Sequence, residues 1–165
     1  MEAPAEAGYL VLAPNHKDAG CGGGRYVFGD GTQKPEVPFR DAGKWSDQTY
    51  ADRREDMEAV LNAALSHSEF DGVRVDATRV GVVGHSLGGY TVLGLAGGWQ
   101  SWKDPRIKAV PALSPYSSPF LSKERLGNLN IPVMYQGGAR DSGITPTVKK
   151  KQRRLRSVGE AEVLH

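Results

Sequence analysis

A stretch of six residues, Gly-His-Ser-Leu-Gly-Gly at positions 84–89, constrains the fold of this chain most strongly. It follows directly on residues 80–83, an apolar run typical of a strand buried in a parallel sheet. An apolar, helix-compatible pattern resumes over residues 90–95. Gly84 and Gly88 flank Ser86 and leave no Cβ atom to obstruct a close approach of strand and helix. The sequence therefore predicts that Ser86 lies on a sharp strand-to-helix turn.

Other segments alternate between strand and helix patterns. Apolar spacing of three or four predicts a helix over residues 47–66, and Ser46 is a suitable N-cap. A long loop precedes this helix at 17–46, a polar connector follows it at 66–78, and residues 119–129 are a short helix or a loop. Further strands are predicted at 9–13, 107–113, 131–135 and 161–165, and a further helix at 146–156. The pattern predicts one α/β domain over residues 1–165, with a mostly parallel sheet flanked by helices.

Composition excludes several classes of protein. One cysteine among 165 residues permits no internal disulfide, which fits a reducing compartment, and we expect a cytoplasmic protein. The N-terminus does not resemble a secretory signal, and no apolar run approaches the roughly 20 residues of a membrane span. A net charge of +2 does not indicate a nucleic-acid partner. Cysteine and histidine show no metal-ligand spacing, so we expect no metal site.

A serine at such a turn is typical of nucleophilic catalysis. Its hydroxyl is a poor nucleophile unless a base, an orienting acid and donors to a developing oxyanion surround it. The main-chain N–H of Leu87 follows Ser86 directly and would be one such donor. Asp141 follows the strand predicted at 131–135 and is the candidate acid. Its alternative role is that of a surface carboxylate in a turn.

The base is the least defined member of this set. His165 is the best candidate by chain order, and the alternative is that it belongs to the last strand and that the base lies beyond this sequence. His16, at the end of the first predicted strand, either lines the substrate pocket or anchors a loop. We also expect His85 and Tyr90 beside the substrate. Three tryptophans either line an acyl pocket or pack in the core: Trp45, Trp99 and Trp102.

These residues resemble bacterial α/β-hydrolases, in particular the serine-nucleophile group related to dienelactone hydrolase and platelet-activating-factor acetylhydrolase. The resemblance is carried by residues 8–16, 82–90, 109–115 and 131–141. It implies an α/β-hydrolase fold that cleaves carboxylic esters without a metal or organic cofactor. Dienelactone hydrolases proper use cysteine where this chain has Ser86, and Cys21 lies far from that motif, so no cysteine chemistry is expected.

Two departures from that family bear on function. In that family, one further strand lies in the sheet between the two strands that correspond to residues 9–13 and 80–83. No segment of this sequence matches this further strand. In the family, the loop after it donates the second N–H to the oxyanion. The fold is therefore expected to be incomplete at its N-terminal side, and a second copy of the chain is one way to complete the sheet. The first hypothesis is a serine hydrolase for esters of short to medium acyl chains. The alternatives are an impaired hydrolase fragment acting as an oligomeric or binding module, and a hydrolase of thioesters or peptides.

Overall fold

The computed structural model describes residues 2–16, 36–66, 69–70, 72–138 and 141. The chain divides into two compact units. One comprises Met1–Glu36 and Tyr50–Ala77, and the other comprises Val37–Thr49 and Thr78–His165. The elements predicted at 146–156 and 161–165, and most of the loop predicted at 17–46, lie outside the described residues. That the whole chain forms one domain stays a prediction.

The first unit begins with helix α1, Glu2–Glu6, and an extended segment. The strand predicted at 9–13 is wrong, because these residues form no strand. Their apolar side chains lie in solvent, with Tyr9 65% exposed and Leu10 and Leu12 each more than a third exposed. A strand is stabilised by ladder hydrogen bonds to a neighbour. Among the described residues, none pairs with this segment.

Helix α2 spans Ala51–Leu65, so the helix predicted over 47–66 is confirmed with a later start. Ser46 is not its N-cap. That position is held by Tyr50, whose left-handed backbone (φ 58°, ψ 36°) ends the preceding turn. The connector predicted after α2 contains a short antiparallel pair, β1 at Glu69–Phe70 and β2 at Val73–Arg74.

A parallel sheet organises the second unit. Strands β3, Val80–Gly81, and β4, Gly84–His85, follow each other along one edge of β5, Ile107–Leu113. Strand β6, Val133–Gln136, pairs with the other edge, because Ala112 of β5 pairs with Gly84 on one side and with Tyr135 on the other. All of these pairings are parallel. The prediction of an α/β structure with a parallel sheet is confirmed for the described part of the chain, in which the sheet is small.

The strand predicted at 80–83 forms only at Val80–Gly81, and two valines connect it to β4. Val82 is 5% exposed, whereas Val83 is 62% exposed. Within the described part of the chain, no strand pairs with β3 or β4 on the side away from β5.

Aromatic side chains form much of the core of the second unit. Helix α3, Leu87–Leu93, continues into a π-helical turn at Gly94–Gly98. Tyr90 of α3 is fully buried, donates its hydroxyl to the Thr49 carbonyl at 2.9 Å and accepts the indole N–H of Trp99 at 2.9 Å. All three tryptophans are at most 3% exposed, so they pack in the core. Over the predicted stretch 119–129, helix α4, Ser118–Leu121, precedes a 3-10 turn, Arg125–Asn128.

An ion pair precedes β5. The Asp104 carboxylate accepts the guanidinium of Arg106 at 2.6 Å and its main-chain N–H at 2.9 Å. Hydrogen bonds from Arg106 lower the pKa of the Asp104 carboxyl, against the opposing effect of burial. The carboxylate therefore stays charged and restrains the start of the central strand.

Candidate active site

Ser86 occupies the turn between β4 and α3 with a backbone conformation that side-chain-bearing residues rarely adopt. Its φ is 53° and its ψ is −113°. Such a conformation is sterically strained for a residue with a Cβ atom and persists only when surrounding contacts enforce it. The strand-to-helix turn predicted at this serine is present.

Hydrogen bonds on both sides of the peptide hold Ser86 in place. Its N–H donates to the carbonyl of Leu113 at the end of β5, at 3.1 Å. Its carbonyl oxygen accepts the N–H of Tyr90 at 3.2 Å and the N–H of Tyr116 at 2.9 Å. The central strand, the helix and the segment after β5 thus all contribute to the strained geometry.

Close contacts explain why two of the three glycines around Ser86 could not carry a side chain. A Cβ atom on Gly84 would lie 2.2 Å from the carbonyl oxygen of Gly88, and one on Gly89 would lie 2.5 Å from the Cβ of Pro115. A Cβ atom on Gly88 would meet nothing within 4 Å. The sequence interpretation assigned the steric role to Gly84 and Gly88. The structure assigns it to Gly84 and Gly89.

Leu87 is the first residue of α3. Its main-chain N–H therefore belongs to the first turn, where the helix itself offers no acceptor. This N–H lies one residue after the Ser86 hydroxyl in the chain, as the predicted oxyanion role requires. That role stays a prediction.

The sheet brings Asp141 to the same edge as Ser86. Leu113 of β5 pairs with His85 on one side and with Gln136 on the other, so β4 and β6 end at the same level. Ser86 follows β4 directly. Asp141 comes five positions after Gln136, the last residue of β6, and its N–H donates to the Gly138 carbonyl at 3.0 Å. Ligand sites of parallel sheets lie at this carboxyl edge.

The three histidines predicted to belong to the site lie in different parts of the chain. His165 lies outside the described residues, so its predicted role as base is not tested. His85 belongs to β4, pairs with Leu113 and is exposed. His16 belongs to the first unit, where its Nδ1 lies 2.7 Å from a carboxylate oxygen of Asp56. This contact matches the loop-anchor alternative for His16.

Tyr90 was predicted to contact the substrate, and its position favours a different role. Its ring is fully buried, and its hydroxyl lies within hydrogen-bond distance of the Ser46 and Thr49 carbonyls and of the Trp99 indole N–H. It stacks on Phe120 with ring centroids 5.1 Å apart and meets Trp45 edge-on at 5.0 Å. Tyr90 therefore joins α3 to the core, and its contact with a substrate stays a prediction.

Sequence reasoning missed the segment that follows β5. Ser114 has a positive φ of 38° and donates its N–H to the carbonyl of Gln136 at 2.6 Å. Tyr116, two residues later, donates its hydroxyl to the main-chain carbonyl of Phe39. Burial raises the pKa of the Tyr116 phenol to about 12, so it remains a donor at neutral pH. The available signal was the Ser-Pro-Tyr sequence at the carboxyl end of a parallel strand, next to the strand that carries Ser86.

Among the described residues, no cluster of three histidine, cysteine, aspartate or glutamate side chains could hold a metal ion. No helix in the described part of the chain is both long enough and apolar enough to cross a membrane. Comparison with protein-family models, with curated proteins and with solved structures gave no match to this chain.

Proposed function

We propose that this chain is a serine hydrolase of the α/β-hydrolase type, which cleaves carboxylic esters of short to medium acyl chains through an acyl-enzyme. The observation that carries the proposal is the strained backbone of Ser86 at the end of a parallel strand and the start of a helix. Strained residues cluster at functional sites, where the surrounding structure holds them in place. The same geometry defines the nucleophile turn of α/β-hydrolases.

The reaction would proceed in two steps. The Ser86 hydroxyl attacks the ester carbonyl while a histidine, His165 by chain order, accepts its proton; the alcohol leaves with that proton. Asp141 orients the histidine and stabilises its charged form. The N–H of Leu87 stabilises the oxyanion. A water molecule then attacks the acyl-enzyme, and the acid and free Ser86 are released.

The placement of Asp141 supports this assignment. Two parallel strands on either side of β5 deliver Ser86 and Asp141 to one edge of the sheet. In the dienelactone-hydrolase-like esterases that this sequence resembles, the nucleophile and the acid follow the strands that correspond to β4 and β6.

The alternative is a hydrolase-like domain that acts as an oligomeric or binding module. The observation that favours it is the open side of β3 and β4, with Val83 62% exposed. Uncovered strands readily pair with another chain. A monomeric protein with serine-dependent turnover would exclude this alternative.

The proposal is tested by hydrolysis of p-nitrophenyl acetate and butyrate and by labelling with a fluorophosphonate reagent. Ser86→Ala should abolish labelling and lower kcat by several orders of magnitude, because the nucleophile is lost. Ser122→Ala is the matched control, since this serine is exposed in the turn after α4 and should retain full activity. Equal activity of Ser86→Ala and the unmodified protein would overturn the proposal.

A further inference from the structure

The aromatic ring of Phe39 is partly exposed to solvent, although one of the two rings that contact it is buried. Phe39 is 47% exposed, whereas its neighbour Trp45 is fully buried. Phe39 opens a 3-10 turn, Phe39–Lys44, in the same unit as Ser86. Covering the exposed part of this ring with an apolar group of a ligand would be favourable.

Tyr116 links this ring to the Ser86 turn. Its main-chain N–H donates to the Ser86 carbonyl at 2.9 Å. Its own ring meets Phe39 edge to face, with centroids 4.9 Å apart and planes at 86°. Phe39 therefore contacts the residue whose main chain is hydrogen-bonded to the candidate nucleophile.

The position of Phe39 is fixed independently of its side chain. The Tyr116 hydroxyl donates to the Phe39 main-chain carbonyl, and the indole N–H of Trp45 donates to the carbonyl of Pro38 at 3.3 Å. Phe39 also contacts Trp45, with ring centroids 5.6 Å apart. An aromatic surface held in this way is preorganised, which reduces the entropy lost when a ligand binds.

We propose that Phe39 is a specificity-determining residue that binds an aromatic group of the ester substrate beside Ser86, an inference that rests on the proposed function. Aromatic pairs in offset-stacked or edge-to-face arrangements are more favourable than their buried area alone would give. On the same turn, the carboxylate of Asp41 is paired with Lys44 at 3.2 Å, so an uncharged aromatic group suits the surface. Tyr116 acts as a positioning residue, through its hydrogen bonds to Phe39 and Ser86.

Two matched pairs of esters test this selectivity. Benzyl acetate is compared with cyclohexylmethyl acetate, and methyl phenylacetate with methyl cyclohexylacetate, so that each pair differs only in the aromatic character of one ring. Phe39→Leu should lower the aromatic-to-aliphatic ratio of kcat/KM by about three- to tenfold in one pair, which also shows on which side of the ester the ring binds. Phe39→Tyr is the control, and it should keep the ratio because the ring is retained.

Direct binding separates this inference from the proposed function. In the Ser86→Ala background, ligand-observed NMR should detect benzyl acetate or methyl phenylacetate, and adding Phe39→Leu should weaken that binding by a similar factor. If Ser86-dependent turnover exists but neither ratio changes in Phe39→Leu, the inference on Phe39 fails while the proposed function stands. If neither ester binds the folded Ser86→Ala protein, the inference also fails. If binding depends on Phe39 but no variant turns over, the proposed function fails instead.

Discussion

The main-chain N–H of Tyr116 donates to the carbonyl oxygen of Ser86 at 2.9 Å. This bond joins the segment that leaves the central strand to the candidate nucleophile, whose backbone is strained. The second N–H on the same oxygen comes from Tyr90, in the core-facing part of α3. Changes in the segment after β5 are therefore expected to alter the geometry of Ser86, although that segment is distant from it in sequence.

Gly84→Ala and Gly88→Ala form a matched pair at this turn. The first would place a Cβ atom 2.2 Å from the Gly88 carbonyl oxygen, so we expect strong destabilisation, about 2 kcal/mol or more, and loss of any esterase activity. The second meets open space in a helix, so stability should be unchanged or higher by about 0.5–1 kcal/mol. Urea unfolding of both variants measures these changes. A Gly84→Ala protein as stable as the unmodified chain would contradict the described turn.

Tyr116→Phe removes the hydroxyl that binds the Phe39 carbonyl while retaining the ring. We expect a loss of about 0.5–1.5 kcal/mol in the free energy of unfolding at neutral pH. The folded-state pKa of Tyr116 is raised from 10.0 to about 12, so its contribution is complete below pH 10 and is lost as the pH rises through about 12. The difference between the two proteins should shrink over that window. A constant difference would indicate that the phenol is not responsible.

The Asp104–Arg106 ion pair should make the free energy of unfolding depend on pH under acidic conditions. The lowered pKa of Asp104 means that its contribution to stability is present above 3.8 and is lost as the pH falls through the lower folded-state value. Asp104→Asn should be less stable than the unmodified chain at neutral pH, by about 1 kcal/mol or less because solvent screens the pair. Acid titration of unfolding should bring the two proteins together below pH 3.8. Asp47→Asn, which leaves this pair intact, should not change that acid response.

His16 and Asp56 are expected to be energetically coupled. Their side chains are 12% and 34% exposed and their polar atoms are 2.7 Å apart. A double-mutant cycle of His16→Ala and Asp56→Ala should give a coupling free energy of about 0.5–1 kcal/mol. Additive effects would show that the contact does not stabilise the extended segment. Hydrolysis measured on the same variants tests whether His16 also has the substrate role predicted from its position.

Local signals predicted the sheet of the second unit well. The run at 107–113 became β5 with its predicted bounds, since a central parallel strand is mostly apolar. The run at 9–13 has a similar composition but forms no strand, because a strand also requires a partner, and a single segment carries no information on its partner. The N-cap at Ser46 failed for a related reason: a left-handed Tyr50 ends the turn, and tyrosine gives no sequence signal for that conformation.

Only the site residues that follow a strand could be predicted from the sequence. Ser86 and Asp141 follow strands, and the ends of parallel strands are readable from the chain. Phe39 and Tyr116 meet across 77 positions, a distance over which no local pattern indicates contact. The sequence also could not show that Gly89, and not Gly88, lacks room for a side chain. The position of Pro115 decides this.

The crowding at Gly84 and Gly89 has a consequence for how related sequences are recognised. At position 88 an alanine would fit, so this position is free to drift over evolutionary time, whereas positions 84 and 89 are not. The diagnostic spacing of this turn is therefore G-x-S-x-x-G, in which the last glycine records the contact with the proline after the central strand. A search for relatives that insists on glycine two positions after the serine would discard some chains that keep this turn and retain others that have lost it.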